Sequence, residues 1–151
     1  MAINKPSAEL LLDLININAA KKPVPTEFEA GDFTFENPER MPYDAKRNTS
    51  VVLTPAGASG KLSKPTRVFY NRVRLSDLNE GDVLDLPDEG FTSTEDLLEA
   101  INTLFSAELE AEDIVVAAIP AGALPKGVTL AANPNSLGYI GQLQIQLIDA
   151  G

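Results

Sequence analysis

Apolar residues recur at helical spacing near the start of the chain. Leu10, Leu11, Leu14, Ile15 and Ile17 form a stripe, Asn4 stands as a cap, Pro6 suits a first turn and Glu9 favours the positive end. The helix is predicted to stop near 18–20, before Lys21-Lys22-Pro23, and Pro23 and Pro25 make a stiff connection. Period-two alternation then takes over. Residues 26–36 read as a strand, with Phe33 and Phe35 between polar neighbours and Gly31 as a bulge. Residues 37–44 are a Pro-marked loop, 48–54 a second strand, 56–65 a Gly/Ser/Lys loop and 66–75 the most β-rich run. Residues 76–90 read as acidic turns. A second helix follows: Thr92 and Glu95 make a T-x-x-E capping box, and Leu97, Leu98, Ile101, Leu104 and Phe105 share one face. Three further strands are predicted, at 114–119, 128–132 and 139–148. In the last, Tyr139, Leu143, Ile145 and Leu147 lie opposite Gln142, Gln144 and Gln146.

These elements predict an α+β fold, mainly antiparallel β and sandwich-like, with an N-terminal helix and one internal helix. The expected plan is an N-terminal helix and Pro-rich connector at 1–25, then a single β-rich domain at 26–151 with its helix near 93–105. One internal echo exists. Leu11-Leu12-Asp13-Leu14-Ile15-Asn16 resembles Leu97-Leu98-Glu99-Ala100-Ile101-Asn102, a likeness that two amphipathic helices of any origin share.

Charge changes the picture more than hydropathy does. The net charge is −10, and it is unevenly spread. Residues 40–74 carry eight bases and one acid, whereas 75–113 carry thirteen acids and no base. The two runs either face each other inside one fold or form complementary faces of neighbouring subunits. Lys61, Lys64 and Arg67 on the basic side and Asp82, Asp85 and Asp88 on the acidic side are the candidate interface residues. Direct nucleic-acid binding is disfavoured, because phosphate contacts need an uncompensated positive footprint.

The 151 residues include no cysteine, histidine or tryptophan. That excludes a Ser-His-Asp triad, a thiol nucleophile, an ordinary zinc site, and a haem held by His or Cys. The run Gly57-Ala58-Ser59-Gly60-Lys61-Leu62-Ser63 fails as a phosphate loop: Pro55 stands where the first glycine belongs, and Leu62 replaces the magnesium-binding hydroxyl. Asp77, Asn79 and Gly81 fail as a calcium loop, because glycine sits where a ligand is needed. Asp82, Asp85, Asp88 and Glu89 remain a loose set of oxygen ligands in a solvated loop. A glycosidase dyad needs an aromatic-lined cleft, and the nine aromatic residues fall mostly inside strand patterns. The expectation is no enzyme, no cofactor, no metal and no small-molecule substrate. No run reaches the roughly 18–20 apolar residues of a membrane span, and the start lacks a secretory h-region and cleavage site. No membrane insertion and no export by that route are expected.

The run Arg47-Asn48-Thr49-Ser50-Val51-Val52-Leu53-Thr54 leads through a Gly-rich loop to Val68-Phe69-Tyr70-Asn71-Arg72-Val73-Arg74-Leu75-Ser76-Asp77-Leu78. It resembles a group of small virion structural proteins of tailed bacteriophages. The resemblance extends to the opening helix with its Leu14-Ile15-Asn16, to the 97–102 helix and to the Asp113-Ile114 strand entry, covering most of the chain. It implies a repeated building block of the tail, baseplate, collar or capsid surface, made in the host cytoplasm and kept in the virion. Its implied partners are copies of itself and other virion proteins, with no catalytic residues to carry over. The rival expectations are a monomeric β-sandwich module that binds a ligand or carbohydrate, and a small carboxylate hydrolase.

Overall fold

The computed structural model describes residues 3–24, 26–42, 46–57 and 60–151. Residues 1, 2 and 25 of the predicted 1–25 segment, residues 43 and 44 of the 37–44 loop, residue 45 after it, and 58–59 of the Gly-rich loop lie outside them. The fold is α+β with mainly antiparallel strands, one N-terminal helix and one internal helix. Helix α1 (Ser7–Ala19) starts with Pro6 at its cap position. The first sheet is built around β3 (Thr49–Pro55), which pairs antiparallel with β1 (Phe33–Phe35), β2 (Glu39–Arg40) and β4 (Thr66–Tyr70). The short β5 (Val73–Arg74) pairs parallel with β8 (Tyr139–Ile140). The third sheet has β9 (Gln142–Ile148) at its centre, antiparallel to β7 (Lys126–Ala131) and parallel to β6 (Leu84–Pro87). Helix α2 (Leu98–Phe105) extends a 3-10 turn at Thr94–Leu97.

Several predicted elements change, each for a local reason. The 26–36 strand shortens to β1 because Ala30–Asp32 form a 3-10 turn, closed by the Glu29 N–H donating to the Asp32 carboxylate at 2.6 Å. Gly31 belongs to that turn, not to a bulge. The 66–75 run breaks at Asn71-Arg72, where the Arg72 N–H donates to the Asn48 side chain at 2.7 Å instead of to a strand. The 76–90 segment contains β6, whose Leu84 and Leu86 are buried while Asp85 and Pro87 face out. Residues 114–119 make isolated bridges only, Ile114 to Ala132 and Ala118 to Ser93. The capping box shifts one residue, with Asp96 accepting the N–H groups of Thr92 and Ser93 at 2.9 and 3.0 Å. Leu104 leaves the predicted core face and is 55% exposed. The last strand is interrupted at Gly141, whose φ of +77° suits glycine.

The internal echo reaches far beyond the helices. Asn16 clamps Phe28, its side chain donating to the Phe28 carbonyl at 2.9 Å and accepting the Phe28 N–H at 2.8 Å. Asn102 clamps Leu109 in the same two-bond way, at 2.9 and 2.8 Å. The clamped residue opens Phe28-Glu29-Ala30-Gly31-Asp32-Phe33 in the first half and Leu109-Glu110-Ala111-Glu112-Asp113-Ile114 in the second. In both, the Glu N–H donates to the Asp carboxylate, and the Asp carbonyl accepts an N–H just beyond the first strand of the hairpin, that of Ala56 after β3 or Asn133 after β7. A hairpin of one register follows in each half. Leu53 faces Thr66 and Thr49 faces Tyr70, as Leu130 faces Leu143 and Lys126 faces Leu147.

The cores repeat with it. Leu11, Phe33, Val51, Leu53 and Tyr70 form one buried cluster. Their counterparts Leu97, Ile114, Val128, Leu130 and Leu147 all belong to the other. The chain is therefore one motif built twice: helix, Asn clamp, acidic 3-10 turn and hairpin. The halves differ at both edges: β1 and β2 pair with β3, whereas residues 114–119 make isolated bridges only. Strand β6 covers β9 in the second half, while among the described residues β4, the counterpart of β9, pairs only with β3.

Candidate interaction surfaces

The uncovered side of β4 opens into an apolar groove against α1, with a cavity volume of about 330 Å³. Leu14, Ile15, Phe28, Leu62, Val68 and Tyr70 contribute to its wall. Lys22 is the charged residue among the lining, and Lys61 and Lys64 flank Leu62 in the loop before β4. Among the described residues no carboxylate lines it. Phe69 and Val24, also in the wall, are 52% and 82% exposed.

A second opening lies on the other half, between α2 and the end of β6, with a volume of about 380 Å³. Its apolar floor is Leu86, Phe91, Ala100 and Leu104, and its charged residues are Glu89, Asp96 and Glu99. No base lines it. The two halves, alike in backbone, thus present apolar openings of opposite charge.

The six candidate interface residues divide between these faces. Lys61 lies 3.5 Å from Asp32, and Lys64 is exposed with its carbonyl accepting the Thr66 hydroxyl. Arg67 lies on β4, donates to the Ser50 hydroxyl at 2.9 Å and sits 3.4 Å from Glu39. Asp82 and Asp85 are exposed, the latter on β6. Asp88 is engaged locally, its carboxylate accepting the N–H groups of Gly90 and Phe91 at 3.0 and 3.3 Å. The structure gathers the basic three around β4 and the acidic three around β6. Among the described residues no ion pair joins the two sets: Lys61 and Arg67 pair with Asp32 and Glu39, outside the acidic run. No group of three or more described acids is placed to hold a metal, and no described helix is long and apolar enough to cross a membrane.

The model of DUF7941, a family of unknown function, matches residues 1–150. The chain belongs to that family. No curated protein and no solved structure matches the chain. The DUF7941 match spans both halves of the motif and both openings.

Three buried polar links lock the halves of this DUF7941 chain together, and sequence reasoning missed them. Arg72, 4% exposed, donates through Nε to the Thr49 hydroxyl at 2.8 Å and through Nη1 to the carbonyls of Pro134 and Ser136, both at 2.9 Å. Burial lowers its pKa. Asp113, also 4% exposed, accepts the hydroxyls of Ser7 and Ser136, both at 2.6 Å. The Tyr70 hydroxyl donates to the Leu137 carbonyl at 2.7 Å, and burial pushes its pKa up. Arg72 and Asp113 belong to the basic and acidic runs by sequence, yet each is structural. The signal that marks Asp113 is its place in the second Glu-Ala-x-Asp turn, matching the buried Asp32 of the first.

Proposed function

We propose that the chain is a repeated, non-enzymatic structural subunit of a tailed-bacteriophage particle, made in the host cytoplasm and held in the virion by contacts with copies of itself and with other virion proteins. The observation that carries this reading is the separation of charge. A basic run and an acidic run lie on two similar halves, and no described ion pair links them inside the chain. Complementary faces left unpaired within a subunit favour head-to-tail contact between subunits, which fixes register and suppresses wrong pairings. The resemblance of the 47–54 and 68–78 runs to phage virion proteins supports the same assignment. The groove beside α1 is walled mainly by aliphatic and aromatic side chains, so it suits an apolar side chain better than a sugar, which needs many polar partners.

Light scattering on size-exclusion fractions tests the reading. Association should rise with protein concentration and weaken between about 0.1 and 1 M salt, as the Debye length falls from about 10 to about 3 Å. Lys61→Glu with Lys64→Glu should weaken it, and Asp82→Lys with Asp85→Lys on the partner should restore it. Arg67 and Asp88 are left alone because they hold local structure, and a thermal melt checks that Lys61→Glu, beside Asp32, leaves the fold intact. A chain that stays monomeric at every concentration and salt refutes the proposal.

A further inference from the structure

The repeat shows what normally lies beside the last strand of this motif. In the second half β6 runs parallel to β9, with Leu84 beside Ile145 and Leu86 beside Leu147. Those leucines are 6% and 7% exposed, and they join the core cluster that includes Leu97, Ile101, Leu109 and Tyr139. The first half has the same wall in Leu11, Ile15, Phe28 and Leu62, but among the described residues no strand runs along β4. Burial differs accordingly. Ile101, Ile145 and Tyr139 are 0–1% exposed, whereas their counterparts Ile15, Val68 and Leu62 are only partly buried and line the groove. The groove is therefore the β6 position of the first half.

We infer that this groove accepts a β-strand from a different polypeptide, laid parallel to β4 in the manner of β6, with apolar residues at alternate positions and acidic residues between them. Strand addition to a free sheet edge supplies backbone hydrogen bonds for affinity, while pockets for alternate side chains supply selectivity. Apolar residues of the incoming strand fall beside Val68 and Tyr70, the counterparts of Ile145 and Leu147. The acidic preference follows from a lining that, among the described residues, holds Lys22 and no carboxylate, with Lys61 and Lys64 either side of Leu62. A second copy is a poor donor. Its own segment of this pattern, Leu84-Asp85-Leu86, is already paired with β9, and lending it would open that copy's core.

The test uses the full chain carrying an extra copy of residues 81–90 on a flexible N-terminal linker, and a control whose extra copy has Leu84→Ser and Leu86→Ser. Tethering brings the added strand to roughly millimolar effective concentration, so a weak short strand still registers. The readout is hydrogen exchange at the β4 amides, in dilute protein where no association occurs. The unmodified segment should slow exchange at β4 by about tenfold or more relative to the control, with β9 unchanged. Equal exchange in the two fusions overturns the inference. Protection of β4 that appears in the unfused chain as its own concentration rises puts a second copy in the groove and overturns the assignment to a different polypeptide. Failure of self-association in light scattering is a separate result and leaves the exchange measurement to decide this one.

Discussion

Ile15 and Ile101 are counterparts in the two halves, and truncating each to alanine measures what the missing strand costs the first. Ile101 is 0% exposed in the larger cluster. Removing its methylenes forfeits about 0.8 kcal/mol for each buried CH₂ and leaves a closed cavity, so Ile101→Ala should cost about 2–5 kcal/mol. Ile15 is only partly buried and lines the open groove. It has less transfer free energy to lose, and the space left joins an existing opening instead of forming a new void. Ile15→Ala should cost about 1 kcal/mol. Both positions are helical, so the gain in helix propensity on going to alanine is common to the two and cancels in the comparison. Urea unfolding followed by far-ultraviolet circular dichroism gives both values from the shift in midpoint, provided the slope is unchanged. Equal losses, within about 0.5 kcal/mol, would mean that the groove is closed in solution and that the two halves are equally covered. The same experiment on the tethered-strand protein should raise the cost of Ile15→Ala toward that of Ile101→Ala.

Asp113→Ala should be among the more damaging polar substitutions. It strands the hydroxyls of Ser7 and Ser136 in a buried site, at about 1–3 kcal/mol per orphaned group, and removes the part-buried acceptor of the Glu110 N–H, and a thermal melt should register a drop of several degrees. Asp113→Asn keeps one acceptor oxygen and should lose less; equal losses for both would place the effect in packing rather than in hydrogen bonding. Asp96 should contribute to acid sensitivity. Its carboxylate accepts the backbone N–H of Thr92, then that of Ser93, and these bonds hold its pKa below the usual value. A depressed folded pKa adds stability above the unfolded pKa of about 4, and that stability is lost as pH falls through the folded value. The urea midpoint of the wild type minus that of Asp96→Asn should therefore shrink below about pH 4, and a difference that stays constant down to pH 3 would sink the assignment.

Much of the fold is legible in the sequence because its signals are periodic. The Leu-Leu-x-x-Ile-Asn helices and the alternating Tyr139 to Ile148 segment carry enough repeats to declare both type and face. Strand β6 is hidden because four residues, one of them Pro87, sit inside an acidic stretch. An edge strand tolerates proline on its open side, and there the turn signal misleads. The 114–119 run errs the other way. It has strand composition, but its Val115 N–H meets the Ala131 carbonyl and its Ala117 N–H meets the Thr94 hydroxyl, so no continuous ladder forms. Arg72 and Asp113 look like surface charge because composition cannot say which member of a charge run turns inward. The groove was beyond sequence reasoning altogether: it arises from a strand the second half has and the first half lacks, and that comparison needs the repeat.

What the two halves share explains why the repeat is faint in sequence. Some apolar positions are filled differently, Phe33 against Ile114 and Tyr70 against Leu147, while Leu11, Val51 and Leu53 match Leu97, Val128 and Leu130, since a core accepts many combinations of adequate volume. The polar identities fall where irregular backbone needs a partner. Asn16 and Asn102 each satisfy one N–H and one carbonyl beyond the helix end, and Asp32 and Asp113 each close a turn from inside the protein. Few other side chains combine a donor and an acceptor at that reach, or a short acceptor that fits a buried turn. Exposed positions face no such demand, and there the halves diverge: residues 7–70 carry eight bases and eight acids, residues 94–148 one base and seven acids. A motif held by its turn chemistry can thus carry a lysine beside the opening on one half and carboxylates beside the opening on the other without changing its backbone.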